Sequence, residues 1–230
     1  FLGGSLACGD FNGDGTNDLA ITRGEINYAD YYITDFSIYL FSGTDLTGTL
    51  YAEDADAELV YALGVPTDTA TVHSRYIDAG DTNNDGVDEL MVSMTYGDGT
   101  YSECDGNLWV LDASTASGAD LKMDDYISFL VTPDDTDSIG SVQVVDDFDG
   151  DGRPDIYIEQ AFYYDEVNEE IDGRASFLKR LGEDSVENLA YASFYGNDGE
   201  GLGQGAVFGD FDGDGTTDSF DPDCQSGLDE

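Results

Sequence analysis

The chain has 230 residues, of which 51 are Asp or Glu and only 7 are Lys or Arg, for a formal net charge of -44. That balance excludes nucleic acid and an anionic membrane surface as partners, since both are held by clustered cations. No apolar run approaches the roughly 18 residues of a membrane helix. An apolar fraction of 40%, with 15 Tyr and 12 Phe, separates the chain from disordered acidic tails, and its length is enough to bury a core.

In chain order, SLACGD reads as a short strand running into the acidic loop DFNGDGTND from Asp10, followed by LAITRG, FSIYLFSG and ELVYALG. The same succession returns as RYIDAGD, DTNNDGVDE from Asp81, ELMVSMTYG, NLWVLDAS and YISFLVT. A third copy runs SVQVVDD, DFDGDGRPD from Asp147, IYIEQAFYY, ASFLKRLG and NLAYASFYG. A fourth begins with GAVFGD and DFDGDGTTD from Asp210, after which SFDPDCQSGLDE no longer reads as a strand. The loop starts lie 71, 66 and 63 residues apart, and the flanking stretches are rich in β-branched and aromatic residues. Helical periodicity is absent. The expectation is an all-β fold of antiparallel four-stranded units, three complete and one partial, with each acidic loop between the first and second strands. Repeated units of this length match propeller blades.

The loops have the composition of calcium sites. Calcium takes six to eight hard oxygen ligands, which a tight loop supplies from positions 1, 3 and 5, a backbone carbonyl at 7 and an acid at 9, with glycine at 6 for the turn. The first site is then Asp10, Asn12, Asp14, the Thr16 carbonyl and Asp18; the second is Asp81, Asn83, Asp85, the Val87 carbonyl and Glu89. The third is Asp147, Asp149, Asp151, the Arg153 carbonyl and Asp155; the fourth is Asp210, Asp212, Asp214, the Thr216 carbonyl and Asp218. An EF-hand would need a bidentate Glu at position 12 and helices on both sides. Ile21, Val92 and Ile158 stand there instead, in strand-like runs; in the fourth loop the residue is Asp221. Carboxylates crowded in this way repel one another unless a cation neutralises them, so metal binding should be coupled to folding.

The pattern D-x-[DN]-x-D-G-x-x-[DE] after a small-apolar strand, as in GGSLACGDFNGDGTNDLAI, resembles the FG-GAP repeats of integrin α-subunits and bacterial surface proteins over residues 3–218. The resemblance implies propeller-type units at about 3–70, 71–138, 139–200 and, in part, 201–218. Residues 219–230 are expected to be an acidic tail or linker, similar to the start of a thrombospondin type 3 or dockerin-like repeat. It also implies a secreted or cell-surface protein in which calcium is a structural staple and the partner is a protein or glycan.

Catalytic patterns are lacking, and no enzyme activity is expected. His73 has no nucleophile motif beside it, and carboxylates that ligate calcium are held ionised and cannot serve as general acids. Trp109 is expected to pack between units. The Tyr28, Tyr31, Tyr32 and Tyr163, Tyr164 groups fall in loops, where packing and partner binding are both open readings. Cys8, Cys104 and Cys224 match no zinc spacing and leave a disulfide and free thiols as alternatives. The surplus acids suit a saline extracellular setting that screens self-repulsion. Besides an adhesion or interaction module, the composition admits a calcium-stabilised filament or matrix subunit that assembles through open sheet edges. It also admits a non-catalytic propeller appended to a secreted enzyme such as a polysaccharide lyase or phospholipase.

Overall fold

The computed structural model describes residues 2–27, 32–61, 71–97, 104–132, 139–160, 164–165, 170–171, 173–178, 182–196, 202, 205–209 and 218–220. The fold is all-β. The first unit contains β1 (Leu2–Gly9), β2 (Asp18–Asn27), β3 (Tyr32–Phe41) and β4 (Ala57–Tyr61). The second contains β5 (Thr71–Gly80), β6 (Glu89–Gly97), β7 (Cys104–Leu111), β8 (Gly118–Lys122) and β9 (Ile127–Thr132). The third contains β10 (Val142–Val145), β11 (Asp155–Gln160), a small β12–β13 hairpin (Tyr164–Asp165 with Glu170–Ile171), β14 (Arg174–Leu178), β15 (Asp184–Ser185), the single-turn helix α1 (Val186–Leu189) and β16 (Ala190–Tyr195). Last come β17 (Val207–Gly209) and β18 (Asp218–Phe220).

Each unit is an antiparallel meander, β1-β2-β3-β4, β5-β6-β7-β9 and β10-β11-β14-β16, and none of these sheets closes on itself among the described residues. The registers superpose. Leu19, Leu90 and Ile156, nine residues beyond the first Asp of their loops, pair with Phe41, Leu111 and Leu178. The stretch after the fourth loop departs from expectation. Residues 218–220 pair with β17, Gly209 opposite Asp218, as Gly9 opposes Asp18 in the first unit. The backbone ladder thus carries a sequence whose polar composition argued against a strand.

The sheets stack face to face, and the side-chain alternation of a strand explains how the middle one serves both neighbours. Leu90, Val92, Trp109 and Leu111 join Phe36, Ile38, Leu40 and Leu59 of the first unit in one core, while Met91, Leu108, Val110 and Val131 join Ile139, Ile156, Ile158 and Leu178 of the third in another. Trp109 sits between units as expected, its ring 5.4 Å from that of Tyr61. The far face of the third sheet carries an aromatic group, Tyr157 and Phe177 against Phe208 from β17.

First strands of successive units lie side by side, β1 by β5 and β5 by β10, without a ladder between them. Side chains tie them instead. Ile77 N donates to Ser5 Oγ (3.2 Å), Val144 N to Asp78 Oδ2 (2.8 Å) and Gln143 Nε2 to the Ala206 carbonyl (2.7 Å). The approach is close enough that a Cβ on Gly80 would stand 2.6 Å from Val144 Cγ1, and one on Gly9 2.8 Å from Asp88 Oδ2.

Two short strands were not foreshadowed by the sequence pattern. β8 of the second unit leaves its own meander and pairs in parallel with β4 of the first, and β15 of the third pairs in parallel with β9 of the second. The second and third units thereby each lend a strand to the outer edge of the unit before it.

Candidate metal centre

The loops between the first and second strands share one hydrogen-bonding plan. The position-1 carboxylate accepts from the backbone N–H groups of positions 5 and 6. In the first loop these are Asp14 N to Asp10 Oδ1 (3.0 Å) and Gly15 N to Oδ2 (2.7 Å). In the second they are Asp85 N to Asp81 Oδ1 (3.0 Å) and Gly86 N to Oδ2 (2.8 Å). In the third they are Asp151 N to Asp147 Oδ1 (3.0 Å) and Gly152 N to Oδ2 (2.7 Å), with Gly150 N adding a further 2.7 Å bond. Position 5 in turn accepts from position 7: Thr16 N to Asp14 Oδ1 (2.8 Å), Val87 N to Asp85 Oδ1 (2.9 Å) and Arg153 N to Asp151 Oδ1 (3.0 Å). The backbone thus curls round the side-chain oxygens and draws them to one side.

Glycine at position 6 is required by the backbone, since Gly15, Gly86 and Gly152 have φ of 85°, 89° and 90°. Position 4 is left-handed as well, at Gly13 (72°), Asn84 (61°) and Gly150 (78°). Sequence reasoning passed over this second turn, although Gly or Asn recurs there and only these types adopt the conformation readily.

In the third loop carboxylate oxygens of Asp147, Asp149 and Asp151, all exposed, lie within 4.8 Å of one another. This is the one such acidic group among the described residues. The third loop is also one residue longer: Val145, not Asp146, opposes Asp155, whereas Gly9 opposes Asp18 and Gly80 opposes Glu89.

The position-9 acids sit beneath their loops. Asp18, Glu89 and Asp155 are buried at 4%, 6% and 1% exposure, and each accepts the N–H of position 2. Asp18 Oδ1 also takes Gly43 N (2.9 Å). Glu89 takes the Thr82 hydroxyl (2.7 Å) and the Asn83 amide. Asp155 Oδ2 collects Phe148 N (2.8 Å), Asp149 N (3.2 Å) and the Tyr191 hydroxyl (2.8 Å). Burial raises all three carboxyls above the ordinary carboxylate range, and their hydrogen bonds only partly offset it. Tyr191 is pushed well above its normal phenol value, by burial first and then by the Asp155 carboxylate it faces.

Neighbouring loops are joined. Asp10 N donates to Asp88 Oδ2 (2.7 Å) while Asp88 N returns a bond to the Asp10 carbonyl (3.0 Å), and Asn84 Nδ2 reaches the Gly152 carbonyl (2.9 Å). Ile21, Val92 and Ile158, the position-12 residues, lie in β2, β6 and β11, where strands and not helices flank the loops.

Asp210, Asp212, Asp214, Thr216 and the tail 221–230 lie outside the described residues, as do Tyr28, Tyr31 and Tyr163 and the side chains of Asp218, Tyr32, Tyr164, His73 and Cys104. Cys8 is an exposed free cysteine. Among the described residues no helix is long and apolar enough to cross a membrane.

No family model matches the sequence, and no curated protein does. Among solved structures the chain is similar to rhamnogalacturonan lyase YesW, at 14% identity and a TM-score of 0.48, over 95% of this chain and 40% of the lyase. The chain therefore spans well under half the length of that enzyme.

Proposed function

We propose that this chain is a calcium-binding interaction module of the extracellular space, built of propeller-type blades of the FG-GAP kind, in which the ion staples the first two strands of each unit. The observation that carries this reading is the oxygen cluster of Asp147, Asp149 and Asp151, held by a hydrogen-bonding plan that the loops at Asp10 and Asp81 reproduce. Three carboxylates this close, with no cationic side chain at any position but Arg153, are a donor set for a hard cation. Calcium accepts an irregular shell of oxygens from a flexible loop, which magnesium, with its strict octahedron, does not. The backbone N–H bonds orient the carboxylates before the ion arrives, so less ordering is left for the binding step.

The position-9 acids play a part of their own in this scheme. They tie the start of each loop to the second strand, and Asp155 Oδ1 is left clear of the three donors that converge on Oδ2. Loops open to solvent suit the millimolar calcium found outside cells. A binding role is favoured over a catalytic one because the acids are committed as acceptors of backbone N–H groups. The exposed row of loops would meet a protein or glycan partner.

Thermal melting in millimolar calcium, followed by excess EGTA, tests the reading. A melting temperature many degrees lower after chelation is expected. An unchanged curve would defeat the staple.

A further inference from the structure

We infer that Asp88, a residue of the second unit, positions the leading carboxylate of the first loop, and that the calcium sites at Asp10 and Asp81 therefore fill as a coupled pair. The inference rests on the calcium reading above and deepens it, because staples confined to their own units would fill independently.

Asp88 stands at position 8 of the second loop, between Val87, the carbonyl donor, and Glu89, the closing acid. It matches no ligand position in its own loop. Its Oδ2 accepts Asp10 N at 2.7 Å, and its own N–H donates to the Asp10 carbonyl at 3.0 Å. The two bonds clamp Asp10 by its backbone on both sides of the Cα, from which the carboxylate extends to Asp14 N and Gly15 N. The bond to the carboxylate is charge-assisted and so of the stronger kind. The fit is tight as well. A Cβ on Gly9 would stand 2.8 Å from Asp88 Oδ2, and one on Gly13 would stand 3.1 Å from Val87 Cγ2. Movement of residues 87–89 is therefore transmitted to Asp10, and the reverse.

Calcium in either loop immobilises this shared clamp. The ion that arrives first orders residues that the second would otherwise have to order itself, which is positive coupling. Repulsion between two bound cations works in the other direction, and the Asp88 carboxylate, placed where the loops meet, offsets it. The link to the third loop is of a different kind. Position 8 there is Pro154, which has neither a carboxylate nor an N–H to offer. Asn84 makes the tie instead, with one exposed bond from Nδ2 to the Gly152 carbonyl (2.9 Å). A single neutral bond at the surface couples more weakly than a reciprocal pair, so the site at Asp147 is expected to follow its own binding curve.

The amides of Gly15, Gly86 and Gly152 each donate to the leading carboxylate of their loop, so heteronuclear NMR reads occupancy site by site as the whole chain is titrated with calcium. Asp14→Ala, which removes a ligand of the first site at an exposed position, should raise the calcium midpoint at Gly86 at least about 5-fold and leave that at Gly152 nearly unmoved. In an Asp88→Ala background the same change should leave the Gly86 midpoint where it was. Alanine deprives Asp10 N of its acceptor, so Asp88→Asn, which keeps the shape and a neutral acceptor, is run beside it and should reduce the effect without abolishing it. An Asp14→Ala effect on Gly86 as large in both Asp88 variants as in wild type would overturn the inference, since Asp88 would then serve stability alone. A Gly86 midpoint indifferent to Asp14→Ala in the otherwise wild-type chain would overturn it equally. Loop amides that do not respond to calcium at all would overturn the calcium reading and the inference with it, a result distinct from loops that fill independently.

Discussion

Asp147→Asn separates the ion-binding role of a loop carboxylate from its structural one. Asparagine keeps the shape and, through Oδ1, the acceptor for the N–H groups of Gly150 and Asp151, but it loses the acceptor for Gly152 N and removes a charge from the group with Asp149 and Asp151. Without metal the relief of repulsion between exposed like charges offsets part of the lost hydrogen bond, so the variant should stay within about 1 kcal/mol of wild type. In calcium it should lose the stabilisation of one site. At a free calcium concentration of about 100 times the dissociation constant, that increment is about 2.7 kcal/mol. For a chain of this size, about 2–4 °C per kcal/mol converts it to a loss of about 5–11 °C. Differential scanning calorimetry of both proteins in EGTA and in calcium gives the four melting temperatures. Equal destabilisation in both media would refute the reasoning, for it would mean that Asp147 serves only as a hydrogen-bond acceptor.

Trp109→Ala should cost about 3–5 kcal/mol in urea unfolding, because it empties a 5%-exposed site between the first and second sheets. Gly80→Val, whose Cβ meets Val144 Cγ1 at 2.6 Å, should cost about 1–3 kcal/mol or more by overpacking; Gly182→Ala, with its nearest neighbour at 3.7 Å, should be close to neutral in the same assay. In metal-free protein the raised carboxyls of Asp18, Glu89 and Asp155 bind protons more tightly folded than unfolded, so stability should fall as pH rises from the ordinary values of 3.8 and 4.5 through the raised ones. Calcium, which requires these groups ionised, should reverse the slope; melting temperatures across pH 4–7 with and without the ion check the sign.

Much of the architecture was legible because local and tertiary signals agree. Ile21, Val92 and Ile158 lie in strands, as their β-branched neighbours require, and Gly15, Gly86 and Gly152 mark the turns that their φ angles demand. What escaped the sequence was decided by distant partners. GADLK and Asp184-Ser185 have little strand propensity and become β8 and β15 because the outer edges of β4 and β9 offer unpaired backbone groups. Burial of Asp18, Glu89 and Asp155 was equally invisible, since each lies in an acidic run and is covered only once its loop folds over it. The Asp88 and Asn84 bonds between loops depend on the stacking of whole units, which no single repeat encodes. Asp146 adds a residue to the third hairpin without disturbing the nine-residue interval from Asp147 to Ile156, so the pattern of ligands survives the change of register.

Metal content after equilibrium dialysis against millimolar calcium is the most direct measure of the central idea. About four ions per chain are expected, one for each acidic loop, falling by one in Asp147→Asn. A chain that emerges without bound calcium would contradict the account, whatever its thermal behaviour.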